Sequence, residues 1–99
     1  MTQQLYKVIV RYPAASAKEQ MALHPLGATA VQWTEYVENK NRVTAKPYFD
    51  NAIEFLEAQG RRDGLISWYD NTDHYEGVGE IMFVFTDSTT ALLFKLALP

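Results

Sequence analysis

Ala28-Thr29-Ala30-Val31-Gln32-Trp33-Thr34-Glu35-Tyr36-Val37-Glu38-Asn39-Lys40-Asn41-Arg42-Val43-Thr44-Ala45 fits two backbone templates, and the number of strands in the fold depends on which it takes. Val31, Trp33 and Val37 fall on alternate positions, and the stretch is rich in Val, Thr, Trp and Tyr, which suit a pleated, half-buried surface. On the other template Trp33, Tyr36, Val37 and Lys40 share a helix face, and Thr29 with Gln32 has the spacing of a capping box. The composition favours the first template: a strand near 30–38, a turn at Asn39-Lys40-Asn41 and an extended piece through Val43.

Outward from this segment the signals are cleaner. C-terminal to it, Pro47 suits the first turn of a helix, where its missing N–H would have no partner anyway. Phe49, Ala52, Ile53 and Leu56 then follow the i, i+3, i+4, i+7 stripe of a core-facing helix, and Gly60 can form its left-handed cap. On the N-terminal side, Tyr6, Val8, Val10 and Tyr12 alternate with Lys7, Ile9 and Arg11 as a half-buried strand ending at Pro13. Ser16 and Glu19 fit a capping box for a short helix to about Leu23, broken by His24-Pro25-Leu26-Gly27.

Leu65–Asp70 and Glu80–Thr86 read as strands, joined by the nine residues Asn71–Gly79. Asp87 suits the N-cap of a final helix that is apolar almost all round, through Ala91, Leu92, Leu93, Phe94, Leu96, Ala97 and Leu98. So little polar face requires burial within the fold or against a partner. Residues 1–99 thus read as a single α+β domain. A single-layer, mostly antiparallel sheet has its helices on one face, with the ferredoxin-like topology as a candidate.

The chain contains no cysteine, which excludes disulfides, thiolate metal sites and cysteine nucleophiles. Its first residues lack the pattern of a signal peptide and no apolar run approaches a membrane span, so a soluble cytoplasmic protein is expected. The net charge of −3 argues against direct nucleic-acid binding. The distribution is uneven: Asp63, Asp70, Asp73, Glu76, Glu80 and Asp87 lie in a stretch from Asp63 to Phe94 that has no Lys or Arg. That stretch therefore carries −6 and the remainder +3, an asymmetry that marks either a solvated acidic face or a partner surface.

Candidate chemistry is sparse. Asp70, Asp73, His74, Glu76 and Glu80 are cation donors close in sequence, but the acids miss the EF-hand register, and zinc at His74 would need a second strong ligand. His24 and His74 are the only histidines, either of which could act as a base, with Asp73 as a dyad partner for His74. Arg61 and Arg62 could contact an anion, or else compensate the helix dipole. Trp68, Tyr69, Phe83 and Phe85 could be stacking platforms, but local charge is negative and core packing is the simpler reading. No nucleophile elbow, phosphate loop, dinucleotide fingerprint or HExxH occurs, so no metal, cofactor or catalytic residue is expected.

One resemblance adds to this. Ile81-Met82-Phe83-Val84-Phe85-Thr86-Asp87 leads into Ala91-Leu92-Leu93-Phe94-Lys95-Leu96, an aromatic strand followed by an A-x-x-F helix. This half of the chain resembles a loose class of small uncharacterised tailed-bacteriophage proteins, and the Arg11-Tyr12-Pro13 strand end is similar in flavour. The resemblance implies a small accessory protein of the host cytoplasm, with no catalytic residues. The expected function is a non-enzymatic protein-interaction module binding a host or phage protein through Asp70, Asp73, Glu76 and Glu80. A small-ligand binder or cofactor-free enzyme of the dimeric α+β-barrel type is the alternative, and a homodimer is compatible with the sequence. A structural subunit of a larger assembly is the third reading.

Overall fold

The alternation at the start of the chain becomes strand β1, Tyr6–Pro13, with Val8, Val10 and Tyr12 buried and Lys7, Ile9 and Arg11 exposed. The computed structural model describes residues 4–98. Helices α1 (Ala17–Leu23) and α2 (Ala30–Ala58) follow, then a 3-10 turn at Arg62–Gly64. Strands β2 (Leu65–Asp70) and β3 (Val78–Phe85) precede helix α3 (Ser88–Ala97).

The sheet has the order β1-β3-β2. β3 pairs antiparallel with β1 without interruption from Tyr6↔Phe85 to Pro13↔Val78. On its other side it pairs antiparallel with β2, with an irregularity between Leu65 and Ser67. β1 and β2 therefore run parallel with β3 inserted between them, the split β-α-β arrangement, and α2 is the crossover. The elements follow in the order β-α-α-β-β-α, and among the described residues no strand follows α3. The α+β fold with an antiparallel sheet is as the sequence implies.

The ambiguous segment is helical. No strand forms at 30–38 and no turn at Asn39-Lys40-Asn41; instead α2 is one helix of 29 residues that passes through Pro47. Three physical reasons account for the difference. The Thr29–Gln32 capping box is made in both directions, at 3.2 Å from Gln32 N–H to the Thr29 hydroxyl and 2.9 Å from Thr29 N–H to the Gln32 side chain. The buried seam runs Val37, Asn41, Ala45, Ala52, Leu56, so a polar and two small residues sit where a hydrophobic stripe would be sought. Pro47 removes one hydrogen bond, to the carbonyl of Val43, but both residues are exposed and water can replace it.

The core forms where α2 and α3 cross the sheet. Phe83 and Phe85 are fully buried, and Phe94 of α3 packs its ring 5.0 Å from Phe83 and 5.3 Å from Phe85. Phe49 of α2 closes on Phe83 at 5.9 Å. Such tilted aromatic contacts add about 0.5–1.5 kcal/mol beyond area burial. Among the described residues the opposite face of the sheet carries no helix, and Ile9, Ile66 and Tyr69 are exposed there. α3 itself is buried only along Thr90, Ala91 and Phe94, while Leu92, Leu93 and Leu96 remain exposed.

Candidate functional site at the free edge of β1

β1 is an edge strand, so alternate backbone N–H and C=O groups along it have no sheet partner. Above that edge α2 and α3 leave a recess of about 600 Å³. Val10 forms its floor side, Tyr48, Ala52 and Phe55 come from α2, and Phe94 and Leu98 come from the end of α3. Asn51 and Arg11 are the polar groups at its mouth. The lining follows from local structure: Tyr48, Ala52 and Phe55 lie three to four residues apart on one helix face, and Val10 is an inward position of β1. Lys7 and Arg11 are exposed on β1, and among the described residues neither is in a salt bridge.

The acids anticipated as a partner surface sit together at the far end of the sheet, and two are engaged in the backbone. Asp70 accepts from the Thr72 amide at 3.1 Å and the Thr72 hydroxyl at 2.5 Å. Asp73 Oδ1 accepts from the amides of Tyr75 at 3.1 Å and Glu76 at 3.0 Å, which shapes the tip of the connection. Glu76 lies 3.7 Å from Lys18, an exposed pair, and Glu80 stands opposite Arg11 in the ladder. Among the described residues no group of three or more His, Asp or Glu is placed to hold a metal ion.

The connection is docked rather than free. Ala17 and Lys18 at the start of α1 donate their amides to the carbonyls of His74 and Tyr75, at 2.9 and 3.0 Å, and the Ser16 hydroxyl donates to Tyr75 at 2.9 Å. His74 does not pair with Asp73; its Nδ1 lies 3.0 Å from the side-chain nitrogen of Asn41. Asn41, 1% exposed, also accepts from Ala15 N–H at 2.6 Å and donates to the Ala15 carbonyl at 3.1 Å. Asn41 is the organising residue that sequence reasoning missed. The signal was an asparagine on a helix seam, visible only once 28–45 is read as helix. His24 stacks on Trp33 at 5.5 Å on the exposed side.

Arg61 and Arg62 have separate partners. Arg61 donates to the Thr90 hydroxyl at 3.2 Å, and Arg62 donates to the Leu65 carbonyl at 3.2 Å with its guanidinium over the Trp68 ring. Both tie the turn between α2 and β2 to the body of the fold. Among the described residues two ionisable groups are shifted. Burial pushes the Tyr12 phenol above its ordinary value; the bond to Thr72 opposes this and the Asp70 charge adds to it. Asp87 is held below the usual carboxylate range, first by the Thr90 amide and then by the Thr90 hydroxyl.

No helix among the described residues is long and apolar enough to cross a membrane. No family model, curated protein or solved structure matches the chain.

Proposed function

We propose that this chain is a small non-enzymatic protein-interaction module that binds its partner at the groove beside β1. The observation that carries the reading is an apolar recess of about 600 Å³ opening beside an unpaired strand edge. The exposed Leu92, Leu93 and Leu96 of α3 extend the apolar surface nearby, and large exposed apolar patches on small domains mark interaction sites. Glu76 and Glu80, with Asp70 and Asp73, form a second contact toward a basic partner. The resemblance to tailed-bacteriophage proteins supports an accessory role in a host cytoplasm. A pull-down from bacterial lysate at low and moderate salt, with the native chain and Asn51→Trp side by side, tests this. The expected result is a stoichiometric partner lost with Asn51→Trp; a partner kept by that variant and lost with Glu76→Gln/Glu80→Gln moves the interface to the acidic end.

A second reading has its own observation. The helix-free face of the sheet exposes Ile9, Ile66 and Tyr69 around Met82 and Val84, where an open face would ordinarily be polar. Two copies packed through that face would make a dimeric α+β barrel that binds a small ligand. Light scattering across a concentration series decides it: a monomer at high concentration removes this reading.

A further inference from the structure

We infer that the occupant of the β1 groove is an extended strand of a partner protein, with apolar side chains alternating with acidic ones, that adds to the sheet along β1. The inference rests on the groove being the binding surface and names what fills it. The fold has two edges, and only one is prepared for addition. β2 is six residues long and irregular between Leu65 and Ser67, which blunts an edge, whereas β1 is eight residues long and regular throughout. A strand laid along β1 points every second side chain toward the helices, which is where the recess lies.

The intervening side chains of the added strand would stand beside Lys7, Ile9 and Arg11 on the helix-free face. Directly opposed charges of unlike sign stabilise a strand pair and like charges oppose it, so acidic residues are the complement of Lys7, which faces Val84 in the ladder, and of Arg11, whose neighbour on the β3 side is Glu80. A second copy of β1 does not fit. Its Val8, Val10 and Tyr12 are already buried in its own core and cannot enter the recess, and pairing centred on Ile9 would set Lys7 against Arg11. Lys7, Arg11 and Pro13 are the residue types that protect an edge from self-association, and the two cations also select an acidic guest.

The test attaches the guest to the full chain. A ten-residue Gly/Ser linker after Pro99, reaching about 17 Å, carries Glu-Val-Glu-Phe-Glu-Val-Glu, and tethering gives an effective concentration on the order of millimolar. The expected result is amide exchange slowed about tenfold or more at alternate residues of β1. The effect should vanish in Asn51→Trp and weaken when Lys replaces each Glu of the tail. Equal protection by the lysine tail overturns the acidic guest. Unchanged β1 exchange, with 1-anilinonaphthalene-8-sulfonate bound by the native chain and excluded by Asn51→Trp, overturns the strand and leaves the groove as a small-ligand site. Absence of both effects overturns the groove reading as well, and a tail-free dimer with β1 already protected replaces the guest with a second copy.

Discussion

The side-chain amide of Asn41, buried in α2, donates to Nδ1 of His74 in the β2–β3 connection at 3.0 Å. Its carbonyl oxygen is committed to Ala15 N–H, so the nitrogen must face the histidine, and the neutral ring then carries its proton on Nε2. One helical side chain thus joins the end of β1, the start of α1 and the acidic connection. Asn41→Ala leaves the Ala15 groups and His74 without that partner and should cost roughly 1–3 kcal/mol, read as a lower urea midpoint. A double-mutant cycle with His74→Ala should return a coupling of about 0.5 kcal/mol or more; strict additivity would remove the link.

Gly79 pairs with Tyr12 across β1 and β3, and a Cβ there would collide with the Tyr12 carbonyl oxygen and press on its ring. The contact is with backbone, which cannot swing aside. Gly79→Ala should therefore destabilise by about 1–3 kcal/mol and speed amide exchange near Tyr12. A thermal midpoint equal to that of the native chain would contradict the packing.

Tyr12 predicts an alkaline limb. Because burial raises its folded-state pKa, the folded protein holds the phenolic proton more tightly than the unfolded chain. The stability from this difference is present below the unfolded value of about 10 and is lost as pH rises through the folded one. Urea midpoints should fall above that pH in the native chain and less so in Tyr12→Phe, with absorbance near 295 nm following the ionisation.

Asp87 predicts the opposite limb. Its carboxylate caps α3 at Thr90, and its folded-state pKa is lowered. The cap's charge contributes above the unfolded value of about 3.9, and that contribution disappears as pH falls through the folded value. Asp87→Asn keeps the capping geometry without the charge, so it should lower the midpoint at pH 7 and flatten the acid limb of a stability–pH profile.

The acids divide into builders and surface charges. Asp73→Ala removes the acceptor for two amides and should lower the thermal midpoint and mobilise residues 74–77. Glu76→Gln should leave stability within about 0.5 kcal/mol, because its pair with Lys18 is exposed. Equal losses from both would mean that the Lys18 pair holds the connection as much as the Asp73 turn does.

Local chemistry by itself determined β1, β2, the caps at Ser16 and Asp87 and the helical stripe through Leu56. Each of these depends on residues within one or two turns of one another, so the periodicity and the capping oxygen are legible without neighbours. The class of fold followed from them. Residues 28–45 did not, because β-branched and aromatic residues favour a strand locally, and only packing rewards the helix. Val37, Asn41 and Ala45 bury one seam, and Asn41 finds Ala15 and His74, partners that no sequence spacing reveals. Tertiary structure alone also decided that β3 lies between β1 and β2, which leaves β1 bare. It turned Asp70, Asp73 and Arg62 toward partners near in sequence and Arg61 toward Thr90 of α3, and brought Val10, Tyr48, Ala52, Phe55 and Phe94 around one recess. A recess is the space left between elements, and no single element encodes it.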